Sequence, residues 1–515
     1  MTRLRIPTKL PRVKLGSRSS AALRFAVYWH GIPIAAALAL ISAWIYLSAA
    51  RTSTPIFDDS YISATFARNL AQHAKLSFDG ETWSTGATSP LHMATMAAFI
   101  KAGMDPIIAG LWVGVISHAL LAVGVYLLTY SIFRSRLASI FGAAAIAFTP
   151  YAALDAGNGL ETSMFMALVA FVSASFFLWK SGAGRVCTGL LIALSILTRP
   201  EGAFFLPAVV IYCWVDRAPS QTLRSYALEV VLLCVPGVIV ILGQNIYSLA
   251  VSDILGGTAN AKLKFFQEDN RPFWEKFDVA GDHVGEFAGP LITLLAIGAL
   301  MIRRRETLLP VIFLTPILAL YTILFAGGLQ HYFFRYQHPA LPFVAAMAGG
   351  GTAYLLTLAA QRDFVVKLLV VAGLVVAVVP LWQHYKHWKD QYADASDETY
   401  DLLRSMPLDM NRIVKPGEVV AVHDIGAVGY YGKFQVLDLV GLVNPKVIPY
   451  HKGRHIREYM EGARPNYLLM FPEWDVNFLW LFPGNEPEKY ELIKVYPGGT
   501  QRTLPYLLYR IHWQD

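Results

Sequence analysis

Two adjacent carboxylates, Asp58 and Asp59, follow the first long apolar run of the chain. Ionised groups near hydrocarbon are poorly solvated, and neighbouring carboxylates repel each other, so such a pair costs free energy unless the protein uses it. Helix capping is the alternative, because Asp is a favoured N-cap residue and a helix is expected over 62–71. We interpret the pair as the chemical centre of the protein, and one of the two could serve only as a cap.

Later segments on the same predicted side of the membrane carry more polar residues than a connector needs. They are Asp155, Asn158, Glu161, Arg199, Glu201, Thr258, Asn260, Lys262, Lys264, His331, Arg335, Tyr336 and His338. If these loops converge, a carboxylate can take a hydroxyl proton while cations hold a phosphate leaving group. Glu161 could instead cap the next span, and Arg199 with Glu201 could be a structural ion pair. Lys262 and Arg335 could be interfacial cations.

The composition is that of a polytopic α-helical membrane protein. The 515 residues are 55% hydrophobic and only 15% charged, and the mean hydropathy is +0.44. A soluble chain of this length is far less apolar. The net charge of +7 is spread over short loops rather than gathered on one face, which argues against a nucleic-acid partner.

Charge also predicts the orientation in the bilayer. Residues 1–26 contain seven Lys or Arg and no acid, so the N-terminus is expected in the cytoplasm. A cleaved signal peptide is the alternative, but the following apolar run is too long for a typical signal core. About eleven spans are predicted, which places the C-terminus outside. They lie near 26–50, 106–133, 137–153, 162–180, 186–198, 203–215, 226–250, 286–302, 307–326, 339–359 and 365–381. The pieces at 186–198 and 203–215 are each too short for a hydrocarbon core and could instead form a hairpin of broken or re-entrant helices.

Three regions follow from this pattern: a basic N-terminus (1–26), a transmembrane domain (27–382) and a soluble extracytoplasmic α/β domain (383–515). The catalytic loops are expected at 51–105, 251–285 and 327–338. An interfacial helix is predicted from about Pro90 to Ile100. In the last domain we predict strands at Glu418–Val422, Tyr467–Phe471, Leu492–Tyr496 and Tyr506–Ile511, and a helix near Glu398–Arg404.

Several spaced motifs resemble those of the bacterial GT-C membrane glycosyltransferases, and among them the mycobacterial terminal arabinofuranosyltransferases of the cell wall. The opening loop carries three of them, at 57–63, 66–71 and 86–91. Further matches occur in order at 159–162, 198–202, 258–262, 326–328, 335–336, 339–342, 423–431 and 438–442.

The resemblance implies a GT-C fold and an inverting transferase that moves a sugar from a polyprenyl-phosphate donor to a glycan hydroxyl on the outer face of the plasma membrane. It also implies that an acidic residue of the first outside loop is the general base, which takes the proton of the acceptor hydroxyl. Here that residue is Asp58 or Asp59, and we expect Asp58, because Asp59 is one residue nearer the helix that it could cap.

Donor-binding roles are expected for Lys262, Arg335, Tyr336, Thr258 and Arg199. The family often has Pro-Asn-Thr before its Ala-Lys, whereas this chain has Gly256-Gly257-Thr258-Ala259-Asn260 before Ala261-Lys262. That departure weakens the case for a functional role of Asn260 more than the case for donor binding by Lys262.

The residues themselves suit this chemistry. One carboxylate must come within about 3 Å of the acceptor hydroxyl, and the departing lipid phosphate needs positive charge. Glu161 and Glu201 are expected to support the site. Asp58, Asp59 and Glu161 could hold a divalent cation (Mg²⁺, Mn²⁺ or Ca²⁺), although no ligand spacing indicates one. The alternatives are a transporter or flippase of a lipid-linked sugar and an inactive glycan-binding homologue.

Overall fold

The computed structural model describes residues 30–52, 54–252, 272, 274–276, 278, 295–297, 299, 305–323, 331–451, 455–499 and 504–514. Its first part is a bundle of apolar helices, and its last part is a small α/β domain. The bundle core is formed by Leu, Val, Ala and aromatic side chains that adjacent helices bury between them.

The helices of the bundle are numbered in chain order. They are α1 (Gly31–Leu47), α2 (Asp58–His73), α3 (Pro90–Lys101), α4 (Pro106–Phe133), α5 (Arg136–Ala147), α6 (Pro150–Ala156), α7 (Thr162–Leu178), α8 (Gly182–Thr198), α9 (Phe205–Val215), α10 (Leu223–Ser252), α11 (Leu308–Ile323), α12 (Leu341–Ala360) and α13 (Phe364–Glu398). A 3₁₀ turn, Pro200–Phe204, joins α8 to α9.

Prolines account for one departure from the predicted spans. The run predicted as one span at 137–153 is two helices, α5 and α6, that meet at an angle of 64°. Pro150 is the first residue of α6. A proline lacks the N–H that a continuing helix requires and clashes with the preceding turn, so the chain bends there.

Two other helix boundaries also differ from prediction. α2 begins at Asp58 rather than near residue 62, with Phe57 as its N-cap. α13 continues through the predicted domain boundary at 383 to Glu398, and a π-helical turn, Thr399–Arg404, extends it. The predicted helix near 398–404 is therefore the end of a long helix that leads directly into the last domain.

The protein is a multi-pass membrane protein. Within the described residues, four helices are long and apolar enough to cross a bilayer, or five if the bent pair counts as one span. Further apolar helices of 10–17 residues are shorter than a typical span. The predicted total of eleven spans stays a prediction.

The last domain contains one five-stranded sheet in the order β2-β1-β3-β5-β4. Its strands are β1 (Val419–Val422), β2 (Gln435–Asp438), β3 (Tyr467–Met470), β4 (Tyr490–Tyr496) and β5 (Tyr506–Ile511). β1 is parallel to β2 and β3, whereas β5 is antiparallel to β3 and β4. Four strands lie where they were predicted, and β2 was missed. The helix α14 (Ser405–Met410) precedes the sheet, α15 (Ile425–Tyr431) follows β1, and α16 (Ile456–Ala463) precedes β3.

Small residues bring α5 and α12 into close contact. A Cβ atom on Gly349 would overlap the backbone of Ala138 and Gly142. Small residues allow such close helix approach in membranes, where dispersion rather than the hydrophobic effect holds helices together. The pair α5 and α12 therefore depends on the absence of a side chain at this position.

We expect Gly349→Ala to lower the thermal unfolding midpoint in detergent, because overpacking costs about 1–3 kcal/mol. The matched control is Gly243→Ala in α10, where an added Cβ meets no atom within 4 Å. That variant should unfold at the same temperature or slightly higher, because Ala favours a helix over Gly by about 1 kcal/mol. Equal midpoints for the two variants would contradict the packing argument.

Candidate active site

Asp58 and Asp59 are the first two residues of α2, so neither is its N-cap. Carboxylates in the first turn are stabilised by the positive end of the helix dipole. Both aspartates lie within the helix, so nearness to the helix does not distinguish them. Their surroundings separate them instead.

Asp58 is buried, with 6% of its surface exposed. Its carboxylate accepts hydrogen bonds from the backbone N–H groups of Gly426, at 2.7 Å, and Ala427, at 2.8 Å. These amides lie in the first turn of α15, where backbone donors lack partners within the helix. Asp58 therefore caps a helix of the α/β domain from the membrane domain and joins the two.

Gly426 makes this contact possible. A Cβ atom at that position would overlap the backbone and carboxylate of Asp58. Neighbouring contacts reinforce the interface: the guanidinium of Arg68 lies over the ring of Tyr430 at 4.8 Å, and the hydroxyl of Ser84 donates to the carbonyl of Val443 at 2.7 Å. The motifs near 57–63 and 423–431, which carry part of the family resemblance, thus pack against each other.

Asp59 lies in a different environment. Its side chain is 23% exposed, and its Oδ2 is 3.7 Å from Nη1 of Arg335. That distance is longer than a hydrogen bond. Asp59 thus combines access to solvent with one loosely held cation, whereas both oxygens of Asp58 accept from backbone amides.

Glu161 links two arginines, and one of them, Arg335, is the cation next to Asp59. Its Oε1 accepts from Nη1 of Arg199 at 3.0 Å and also from Nη2 of Arg335. Burial would raise the pKa of the Glu161 carboxyl, but the charges of Arg335 and then Arg199 outweigh it and lower the pKa to about 2. Glu161 is therefore ionised at neutral pH and holds Arg335 next to Asp59.

Glu201 completes the far side of this cluster. Arg199 donates to it through Nη2 at 2.6 Å and Nε at 3.3 Å. The hydroxyl of Tyr321 donates to the same carboxylate at 2.6 Å. Tyr336 stacks on Tyr321 with ring centroids 4.0 Å apart, and the Arg199 guanidinium lies 5.2 Å from the Tyr336 ring. The two hydrogen bonds from Arg199 to Glu201 fix the orientation of the Arg199 guanidinium group.

A buried histidine holds the segment that carries Arg335. His338 bonds Oδ2 of Asp155 through Nδ1 at 2.6 Å and the carbonyl of Phe333 through Nε2 at 2.8 Å. Asn158 donates to the other oxygen of Asp155 at 2.7 Å, and the hydroxyl of Ser60 donates to the carbonyl of Asn158 at 2.6 Å. Because Ser60 follows Asp59 directly, this chain of bonds ties both partners of the Asp59–Arg335 contact to one scaffold.

The structure thus brings together most of the residues proposed from the sequence. They are Asp58, Asp59, Glu161, Arg199, Glu201, Arg335 and Tyr336. Thr258 and Lys262 lie outside the described residues, so their roles stay predictions. Sequence reasoning missed Tyr321, which lies inside an apolar run, and the amides of Gly426 and Ala427, since backbone groups leave no residue-type signal.

Among the described residues, no group of three His, Cys, Asp or Glu side chains forms a metal site. Of the three carboxylates considered for a cation, Asp58 accepts from backbone amides and Glu161 from arginines. With these contacts the three do not fit a cation site, and whether the reaction uses a divalent cation stays an expectation from the sequence.

One family model and several solved structures are similar to this chain. The model of a domain of unknown function (DUF8728) matches residues 386–509. No curated protein matches the sequence significantly. ArnT from Cupriavidus metallidurans, in a crystal structure bound to undecaprenyl phosphate, is similar over 95% of this chain and 98% of its own, with a TM-score of 0.58 and 13% identity.

Two structures of the Archaeoglobus fulgidus oligosaccharyltransferase are also similar. The apo form has a TM-score of 0.58 at 13% identity over 95% of this chain and 75% of its own. The enzyme AglB in complex with an inhibitory peptide and a dolichol-phosphate has a TM-score of 0.57 at 14% identity, over 94% and 74%. The chain therefore has the fold of GT-C membrane glycosyltransferases, whereas the likeness to arabinofuranosyltransferases is not shown.

The contact between the two domains can be tested at Gly426. We expect Gly426→Ala to separate Asp58 from α15, and so to increase hydrogen exchange in residues 425–431 and 58–63. Gly462→Ala is the control, because an added Cβ there meets no atom within 4 Å. Unchanged exchange in Gly426→Ala would contradict the close approach.

The charge of Glu161 can be tested by pH. Its pKa of about 2 lies below the ordinary value of about 4.3. Its ionisation therefore stabilises the fold fully above about pH 4.3, and this stabilisation is lost as the pH falls towards 2. Glu161→Gln should lower the unfolding midpoint at pH 7. Between pH 5 and 3 the midpoint of this variant should then fall less than that of the wild type. Parallel pH curves for the two proteins would refute the pairing.

Proposed function

We propose that the protein is an inverting glycosyltransferase that moves a sugar from a polyprenyl-phosphate donor to a hydroxyl of a cell-envelope glycan. The reaction takes place on the outer face of the plasma membrane, with the N-terminus in the cytoplasm and the α/β domain outside. Arabinofuranose is the first sugar to test, because of the motif resemblance. The enzyme class rests on the fold and on the charged cluster next to Asp59.

The observation that carries the proposal is the contrast between the two aspartates. A general base needs a free lone pair within reach of the acceptor hydroxyl. Asp59 is partly exposed and has a long contact with Arg335. Asp58 uses both oxygens to bind α15. Asp59 is therefore the better base, in contrast to the expectation from sequence, and Asp58 is the residue that anchors the α/β domain.

In the proposed reaction, Asp59 takes the proton of the acceptor hydroxyl as its oxygen attacks the anomeric carbon. The bond from that carbon to the phosphate oxygen breaks, and polyprenyl phosphate leaves with the electron pair. Attack on the face opposite the leaving group inverts the configuration. Arg335 stabilises ionised Asp59 before the proton is transferred, and Glu161 holds Arg335 in place.

The described cluster cannot bind the phosphate by charge alone. Asp59, Glu161 and Glu201 oppose Arg199 and Arg335, which leaves one net negative charge. A departing lipid phosphate needs an additional cation, and Lys262 is our candidate for it. Thr258 is a second candidate for donor binding. The lipid carrier is also supported by the two similar structures that contain undecaprenyl phosphate and dolichol-phosphate.

Transfer is tested in proteoliposomes with polyprenyl-phosphate-linked arabinofuranose, mannose, glucose and galactose as a donor panel. Asp59→Asn should reduce the transfer rate about 10²–10⁴-fold, as expected for loss of a general base. Asp58→Asn should lose less, because its amide oxygen still accepts one hydrogen bond from α15. Full activity in Asp59→Asn would overturn the base assignment. Movement of the lipid across the bilayer without a new glycosidic bond would instead support a flippase.

A further inference from the structure

Three consecutive aromatic residues, Tyr332, Phe333 and Phe334, have left-handed backbone angles, with φ of 49°, 56° and 65°. A residue with a Cβ atom avoids this region, because the Cβ crowds the following carbonyl oxygen. Strain of this kind persists only where the surrounding structure holds it, and it is common at functional sites. Arg335, which lies next to Asp59, follows this turn directly. The contacts that hold the turn therefore help to set the position of Arg335.

Aromatic rings and an imidazole hold the turn. Phe57, the N-cap of α2, stacks on Tyr332 with ring centroids 4.2 Å apart. The ring of Trp388 meets that of Phe333 edge-on at 5.1 Å. These contacts fix side chains, whereas His338 acts on the backbone: its Nε2 lies 2.8 Å from the carbonyl oxygen of Phe333, in the middle of the turn.

Both ring nitrogens of His338 face acceptors, because Nδ1 lies 2.6 Å from Oδ2 of Asp155. A neutral imidazole has one N–H and satisfies only one of these acceptors, whereas an imidazolium satisfies both. Asn158 donates to the other oxygen of Asp155 at 2.7 Å, which favours the carboxylate form of Asp155. The geometry therefore requires an imidazolium at His338, where the side chain is fully buried.

Other titratable groups surround this ring. α7 and α11 pack against the turn that begins at His338, and Tyr151 of α6 lies 5.5 Å from the ring. The titratable or charged side chains on these elements and beside the ring are Asp155, Tyr151, Glu161, Tyr321, Arg335 and Tyr336. Glu161 is already compensated by two arginines. The positive charge of His338 is thus balanced by Asp155, which contacts it directly.

We propose that His338 is a positioning residue that acts as an imidazolium: its Nε2–H holds the left-handed turn, and the turn holds Arg335 beside Asp59. This inference rests on the proposed function. If the ring loses a proton to solvent, a nitrogen lone pair must face either the carbonyl of Phe333 or the carboxylate of Asp155. Both arrangements are repulsive, so the turn loses its restraint and Arg335 moves away from the base. Activity therefore falls as the pH rises.

The experiment separates the two ring nitrogens. His338→Gln places an amide N–H near the position of Nε2, and His338→Asn places one near that of Nδ1. The controls are the same two changes at His118, a fully buried histidine of α4 whose Nε2 bonds the carbonyl of Ala147 at 3.3 Å. Each variant is assayed for kcat and KM with the best donor of the panel across about pH 5–9. Its unfolding midpoint is measured without substrate.

We expect His338→Asn to lower kcat about 10²-fold with KM little changed, as for a misplaced catalytic group. His338→Gln should keep most of the wild-type kcat, because the turn keeps its hydrogen bond. The kcat of the wild type should fall in alkali, whereas an aspartate base loses activity in acid. His338→Gln should show no alkaline fall, and the two His118 variants should have equal kcat values.

Asp155→Asn tests the proton without changing the ring. Its amide can accept from Asn158 and donate to Nδ1 of a neutral imidazole, which leaves Nε2–H for the carbonyl of Phe333. The alkaline fall of kcat should therefore disappear. NMR of protein with ¹⁵N-labelled histidine gives a readout apart from activity. At pH 7 the signal that is lost in His338→Gln should show a proton on both ring nitrogens.

The inference is overturned if His338→Gln and His338→Asn lower kcat equally, or if the alkaline fall persists in His338→Gln or Asp155→Asn. It is also overturned if the NMR signal of His338 shows one ring proton at pH 7. In these cases a wild type that transfers sugar leaves the proposed function intact. A wild type that transfers none of the four sugars overturns the proposed function, and the NMR result still shows whether His338 is an imidazolium.

Discussion

Compensation of buried charge is the constraint on which the site depends. Glu161, Arg199, Glu201 and Arg335 are all buried, and an unpaired ion in such a place would cost several kcal/mol. The cluster avoids this cost because every member has an oppositely charged partner within 3.0 Å. Glu161 lies between the two arginines and compensates both, and Arg335 also lies 3.7 Å from Asp59.

The same constraint explains why two neighbouring aspartates differ. Asp58 is buried and satisfies its charge with the amides of α15, the first helix after β1. Asp59 lies at the edge of the cluster, and its charge is only partly compensated by Arg335. One residue therefore joins the domains, while the side chain of its neighbour stays partly exposed to solvent.

Much of this arrangement was predictable from residue types, because charged residues in an apolar chain are rare and need partners. Topology predicted Glu161, Arg199 and Arg335 on the same side of the membrane, but their convergence was only assumed, and the structure shows the contacts between them. The role of Asp58 could not be predicted from residue types, because its partners are backbone amides some 370 residues away in the chain. The bend at Pro150 was visible as a proline within a predicted span. The strand β2 is only four residues long and partly exposed, so its apolar pattern is weak.

Asp59, and not Asp58, is proposed to face the reacting atoms. A cryo-electron microscopy structure with a non-transferable polyprenyl-phosphonate sugar and a glycan acceptor tests it directly. We expect the acceptor hydroxyl within about 3 Å of the Asp59 carboxylate, with Asp58 still bound to the amides of Gly426 and Ala427. An acceptor hydroxyl on Asp58, with those two hydrogen bonds broken, would contradict it.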